Sequence, residues 1–268
     1  MKSINILGSG TMGLQLAALF SVLGYSVTLW NRAITDQHQK KLAVKIKMLE
    51  RALGRSGQGL ITHTQALDAL PPVMTIEALS EDLSIKRDIL SQLKFNLAET
   101  GIFTNSSSLR PAEIHADAYA LHFFNPIQAI KLVETTCPPK FQGNVYKDIF
   151  DNLRDAGFQI IFVMPNEGFV ANYILFREIS AVLNLADEFG YTPETIDAVQ
   201  TALGRSNSIF DIVNKVGVDI TKSILDNLRT KDPTLMVPQV LTHALDRGIL
   251  GKKNGTSIRD MFGSDILE

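Results

Sequence analysis

The chain has a single cysteine, Cys137, among 268 residues, which excludes an intrachain disulfide and any cysteine-built zinc site. A chain that does without disulfides suits a reducing compartment, so a cytoplasmic location is expected. Its five histidines (His38, His63, His115, His122 and His243) are scattered without ligand spacing, and no metal is expected. An excess of one charge is also missing: 26 Lys and Arg stand against 28 Asp and Glu, a formal net charge of −2. That balance offers neither a nucleic-acid surface nor a polybasic membrane patch. The first residues, MKSINILGSG, run directly into a strand pattern and lack the apolar stretch and cleavage site of a secretory leader. No run reaches the roughly eighteen consecutive apolar residues of a membrane span. These absences together predict a soluble intracellular protein.

What is present is ordinary globular material, 45% hydrophobic and 20% charged, in a length that allows one large domain or two medium ones. The first half alternates. Short β-rich runs at 3–8, 26–30, 73–79, 101–107, 118–124, 130–136 and 158–163 are separated by helical stretches, among them 36–54, 82–98, 110–116 and 142–156. Strands alternating with helices predict an α/β fold, a Rossmann-like, doubly wound, mostly parallel sheet. From Gly168 the texture changes to helix throughout, beginning with one long pattern over 168–190 that is apolar on nearly every face. Such a helix is expected to be surrounded by protein and suits a subunit interface, which predicts a homodimer. The expected layout is a nucleotide-binding domain over 1–165 and an all-α substrate and dimerisation domain over 166–268.

The stretch ILGSGTMG sets Gly8, Gly10 and Gly13 in G-x-G-x-x-G spacing between a strand and a helix, with Thr11 and Met12 inside it. The first glycine permits the tight turn, the second lets the backbone approach a pyrophosphate, and the third lets helix and strand pack closely. Phosphates then sit at the helix N-terminus, so a dinucleotide site is predicted. Strand two ends in LWNRA, where an NAD enzyme would carry an acid for the ribose hydroxyls. Asn31 replaces that acid and Arg32 follows it. An amide does not repel a 2′-phosphate and a guanidinium binds one, so NADP is favoured over NAD.

Four segments in order then carry a resemblance: GSGTMG, NSSSL (105–109), LHFFNP (121–126) with KLVE (131–134), and GFVAN (168–172), followed by GILGKKNG (248–255). Over nearly its whole length the chain resembles the L-3-hydroxyacyl-CoA dehydrogenases, including the 3-hydroxybutyryl-CoA dehydrogenases. The resemblance implies hydride transfer between a nicotinamide cofactor, NADP or NAD, and C3 of a 3-hydroxyacyl or 3-oxoacyl thioester. By motif position His122 is the acid/base, Glu134 orients its ring and favours its charged form, and Ser107 and Asn172 hold the reacting oxygen. Asn105, Asn125, Glu81, Lys86 and Lys253 fall where the family contacts the cofactor. The chemistry is sound on its own terms. A hydride leaves carbon only as the oxygen gives up its proton, so a base is needed within hydrogen-bond reach, and histidine titrates near neutrality.

Three departures concern the substrate. The family's long helical hairpin after the second strand, which holds the CoA nucleotide, is cut short between Asn31 and Glu77, leaving room for an acyl carrier protein or a smaller substrate. GRSNSIF (204–210) stands where the family tends to show G-x-P-M-G-P-F, and GKKNGTSIRDMFG lacks the usual G-F-Y after the lysines. Two other readings compete. One is dehydrogenation of a free hydroxy acid, as in the gulonate dehydrogenase and lambda-crystallin group, against which Phe123 and Phe124 before Asn125 speak. The other is a cofactor-binding protein without turnover, against which the intact His122, Glu134, Ser107 and Asn172 speak. The WNR ending also resembles NADPH-using β-hydroxyacid dehydrogenases, but their catalytic lysine motif is missing at EGFVAN.

Overall fold

The computed structural model describes residues 2–33, 35–57, 59–138, 145–165 and 169–263. Gly168 of GFVAN, and residues 142–144 of the helix expected over 142–156, lie outside them. The chain divides into two compact units, Met1–Val170 and Ala171–Glu268.

The first unit runs β1 (Ser3–Leu7), α1 (Thr11–Val22), β2 (Ser26–Trp30), α2 (Asp36–Leu53), β3 (Ile61–Thr64), β4 (Thr75–Glu77), α3 (Leu83–Ser91), α4 (Leu97–Thr100), β5 (Ile102–Thr104), α5 (Pro111–Ile114), β6 (Tyr119–Phe123), β7 (Leu132–Thr135), α6 (Val145–Asp155) and β8 (Gln159–Phe162). The strands form one sheet in the order β3-β2-β1-β4-β5-β6-β7-β8. Every pairing is parallel except β6 with β7. β1 lies between β2 and β4, so the direction of winding reverses beside it, and a crevice opens there beyond the strands' C-terminal ends.

Burial explains why β1 is central. Ile4, Ile6 and Leu7 are fully buried, the unbroken burial of a strand covered on both faces. Asn5, also buried, is accommodated because its Nδ2 donates to the Pro71 carbonyl at 2.9 Å and to Thr75 Oγ1 at 3.3 Å. Helix α1 is buried from Gly13 to Val22 and packs into the main core with Leu49, Phe103, Leu121 and Phe158. Helix α2 buries only Leu42 and Leu49, so it is a surface helix. Among the described residues it is the single helix between β2 and β3, where the sequence predicts a shortened hairpin.

One strand, β3, has no counterpart among the sequence-predicted strands. ITHT is short, polar at three consecutive positions and only half-buried at the sheet edge, so it lacks the apolar signal of its neighbours. The helix predicted over 82–98 is two pieces, each started by a side-chain cap, Asp82 for α3 and Asn96 for α4.

The second unit contains α7 (Phe169–Phe189) beyond its first residues, then α8 (Pro193–Ala202), α9 (Ile209–Val216), α10 (Val218–Lys231) and α11 (Gln239–Asp246). Phe176, Ile179, Leu183 and Ala186 of α7 pack in one core with Phe210, Val213, Leu225 and Leu241. GRSNSIF proves to be a helix start: Ser208 caps α9 by accepting from the Asp211 N–H. Arg259 gathers Asp197, Asp211 and Ser208 around its guanidinium.

Two features of α7 bear on the sequence reading. Within one chain it is not enclosed on every side, since Ile174 is 59% and Phe189 61% exposed. It is also long and apolar enough, by length and composition alone, to cross a membrane, with 33% of its most apolar window buried in the protein. Core residues at Phe176, Ile179 and Leu183 on one side, with apolar residues left over on the other, produce the all-round apolar pattern.

Candidate active site

His122 and Glu134 are brought together by strand register. β6 and β7 run antiparallel, and the two residues are direct cross-strand partners, a placement that sets side chains on one face within about 5 Å at Cβ. The ring Nδ1 lies 3.1 Å from Glu134 Oε2. Both residues are buried, His122 4% and Glu134 2% exposed. The other carboxylate oxygen, Oε1, accepts the Val170 N–H at 3.0 Å, at the N-terminal turn of α7, where free backbone donors favour an anion. Glu134 is thus held through both oxygens, and it in turn fixes the ring. Phe124 packs against the imidazole at 4.5 Å between centroids and Phe169 stacks on it at 5.1 Å. Phe169 has φ +47°, a left-handed conformation rare for a bulky side chain and usually sustained only where the surroundings demand it. In a neutral ring, a carboxylate facing Nδ1 places the proton on that nitrogen and leaves Nε2 as the acceptor. Nε2 has no hydrogen-bond partner among the described residues.

The NSSS loop is organised by a second buried group. Glu77, at the end of β4, receives Lys86 Nζ at 2.6 Å, the Leu79 N–H at 2.6 Å and Thr104 Oγ1 at 2.7 Å. Lys86, 1% exposed, also reaches Glu81 Oε2 at 3.3 Å. Glu81 Oε1 then collects Ser106 Oγ at 2.5 Å, the Ser107 N–H at 3.1 Å, and the Ser108 N–H and Oγ at 3.0 and 2.8 Å. Burial raises the Glu81 pKa, but the Lys86 charge and the Ser106 and Ser108 bonds outweigh it and hold the carboxyl below its ordinary range. The Ser107 hydroxyl bonds no protein group among the described residues, so it is available to a ligand.

The glycine loop can be tested as a cofactor cradle. A Cβ on Gly8 (φ +105°) would lie 2.5 Å from the Ala78 carbonyl oxygen, and one on Gly13 only 2.0 Å from the Gly8 oxygen, so both positions demand glycine. At Gly10 a Cβ would meet nothing within 4 Å; it would project into open space. That space is a cavity of about 490 Å³ lined by Gly8, Gly10, Thr11, Met12, Asn31 and Arg32 among others. Helix α1 opens onto it with no side-chain cap and no acid in its first turn. Ser9 Oγ is buried there without a hydrogen-bond partner among the described residues. An uncapped helix N-terminus and an unpartnered hydroxyl fit a bound pyrophosphate.

The other predicted residues fall as follows. Asn105 Oδ1 accepts the Phe123 N–H at 3.0 Å, fastening the end of β5 to the strand that carries His122. Asn125, joined to Pro126 by a cis peptide, accepts from Gln15 Nε2 at 3.0 Å, and Gln15 Oε1 accepts the Ile127 N–H at 3.0 Å. Asn31 Nδ2 donates to the Ala33 carbonyl at 2.7 Å, and Arg32 is exposed. Glu81 and Lys86 do not line the cavity. Asn172 and Lys253 belong to the second unit, Asn172 half-buried on α7 and Lys253 in an exposed ion pair with Asp219 at 2.8 Å. Sequence reasoning missed Ser9, Gln15, Glu77 and Phe169. A polar residue inside an otherwise apolar strand or helix, as at Gln15 and Glu77, was the available signal.

Two family models cover almost the whole chain: 3-hydroxyacyl-CoA dehydrogenase, NAD binding domain, matches residues 3–166, and 3-hydroxyacyl-CoA dehydrogenase, C-terminal domain, matches 168–261. The mitochondrial hydroxyacyl-coenzyme A dehydrogenase of Rattus norvegicus is 28% identical over 286 residues, covering 95% of this chain and 90% of that protein. That alignment is longer than the chain, so the relative carries residues without counterpart here. A 3-hydroxybutyryl-CoA dehydrogenase of Clostridioides difficile is 25% identical over 274 residues, covering 95% and 98%. The crystal structure of (S)-3-hydroxybutyryl-CoA dehydrogenase from Ralstonia eutropha superposes with a TM-score of 0.82 at 23% identity, covering 96% and 98%, which shows a shared fold.

Proposed function

This chain belongs to the 3-hydroxyacyl-CoA dehydrogenase family, an oxidoreductase with a nicotinamide dinucleotide site, and we propose that it interconverts 3-hydroxyacyl and 3-oxoacyl thioesters with His122 as acid/base. The observation that carries this reading is the buried His122–Glu134 pair, with Nδ1 held at 3.1 Å and Nε2 left open. When bound, the nicotinamide cofactor supplies the hydride acceptor or donor. In the oxidative direction His122 Nε2 takes the proton of the 3-hydroxyl as the hydride leaves C3 with the bonding pair. Glu134 stabilises the imidazolium so formed, and in reduction the same nitrogen returns the proton. The Ser107 hydroxyl donates to the reacting oxygen, and the Glu81–Lys86–Glu77 chain holds Ser107 in place for it. Phe124 and Phe169 keep water from the ring, which strengthens the pair.

The proposed cofactor preference is NADP(H), supported by Asn31 where a ribose-binding acid would repel a 2′-phosphate and by the exposed Arg32 after it. The proposed substrate carrier is CoA or an acyl carrier protein; the single helix between β2 and β3 among the described residues supports a reduced grip on the CoA nucleotide. The exposed apolar residues of α7, Ile174 and Phe189 among them, support a homodimer interface. The test is oxidation of NADPH and of NADH with acetoacetyl-CoA and with an acetoacetyl carrier protein. NADPH-dependent reduction of at least one thioester is expected. No turnover of any acyl thioester overturns the reading, and a tenfold or larger preference for NADH overturns the NADP(H) assignment.

A further inference from the structure

A second cavity of about 490 Å³ is lined by Arg32 but by none of the glycine loop. It shares Trp30, Arg32 and Ile89 with the cavity over the loop, so the two adjoin at the end of β2. Its other polar walls are Gln65, Asp68, Gln92 and Lys94. Lys94 lies in the link between α3 and α4 and is exposed, as Arg32 is. Neither cation has an ion-pair partner among the described residues. Trp30 forms a fixed wall: it is 3% exposed, and its Nε1 donates to the Gln65 carbonyl at 3.1 Å.

Two unpaired cations on one cavity, adjoining a pyrophosphate groove, match a compact dianion on an adenosine. We infer that this cavity is the 2′-phosphoadenosine subsite of the cofactor, with Lys94 as a second phosphate-binding cation beside Arg32. The inference rests on the NADP(H) reading and deepens it. Among the described residues Asp68 is the one carboxylate on the cavity wall; it opposes a 2′-phosphate, so it limits the selectivity that the two cations create. Lys94 and Asp68 therefore act on the same phosphate with opposite sign.

The chain's single tryptophan is a wall of this cavity, so its fluorescence reports binding there without any turnover. The experiment titrates the full chain with adenosine 2′,5′-bisphosphate and with AMP, by calorimetry and by Trp30 fluorescence. Wild type is expected to bind the bisphosphate roughly tenfold tighter than AMP, the scale of a charge-assisted phosphate contact. Lys94→Ala should reduce that advantage about fivefold while AMP binding holds within about twofold, and Asp68→Asn should increase it. If both variants keep the wild-type ratio while Arg32→Ala abolishes it, the NADP(H) reading stands and the Lys94 subsite is wrong. Equal loss of both ligands in Lys94→Ala also overturns it, since the lysine would then serve the adenosine and not the phosphate. A wild type with no preference for the bisphosphate overturns the NADP(H) reading itself.

Discussion

At Glu134 one carboxylate serves two neighbours, the His122 ring through Oε2 and the first turn of α7 through Oε1. Replacing it with Gln keeps the shape but no longer fixes which ring nitrogen carries the proton. Glu134→Gln should lower kcat on the order of a hundredfold with KM little changed, read by steady-state kinetics. The buried pair Lys86–Glu77 makes a structural demand of the same kind, with side chains 1% and 0% exposed. Lys86→Met leaves Glu77 charged and unpaired, and denaturant unfolding should show a loss of about 3–5 kcal/mol; adding Glu77→Gln should restore part of it. His122 and Glu134 were legible in the sequence because they sit in a specific motif. Gln15 and Glu77 were not, because their role is set by what the fold places opposite them: a cis turn in one case, a lysine and a threonine in the other.

Among the elements, the loop after β5 depends most on one group. Glu81 holds three consecutive serines and is itself held by Lys86. Its carboxyl lies below the ordinary 4.5, so its contribution to stability is fully present above that value and is lost as pH falls through the lower folded-state one. The difference in Tm between wild type and Glu81→Gln should therefore be constant from neutrality to about pH 5 and shrink in more acid solution. A difference that grew on acidification would mean the carboxyl is not stabilised in its charged form. The strands that carry the site were readable from apolar runs bounded by turn residues. The edge strand β3 was not, because a half-exposed strand of four residues has no periodicity to distinguish it from a loop. The antiparallel pairing of β6 with β7 suits a connection that runs only over 124–131, but the register that opposes His122 to Glu134 emerges only from the folded sheet.

Across the whole molecule, the change from alternating strands and helices to helix alone was visible in the sequence, while the surface of α7 was not. Core-facing and solvent-facing apolar residues look alike in sequence. The exposed face carrying Ile174 and Phe189 should hold two copies together, and light scattering at working concentration should return twice the 29.5 kDa chain mass. Cys137 offers a global probe of folding: it is fully buried, and burial pushes its thiol up to about 12. It should be inert to thiol reagents at pH 8 until the first unit opens. The central claim is that His122 moves the proton that accompanies hydride transfer. Single-turnover reduction of a 3-oxoacyl thioester, followed by nicotinamide absorbance at saturating cofactor and substrate, tests it in wild type and His122→Gln. The expected result is a fall of roughly 10²–10⁴-fold in the rate, with Trp30 fluorescence showing cofactor binding unchanged. A His122→Gln chain that transfers hydride within a few-fold of the wild-type rate would contradict the account.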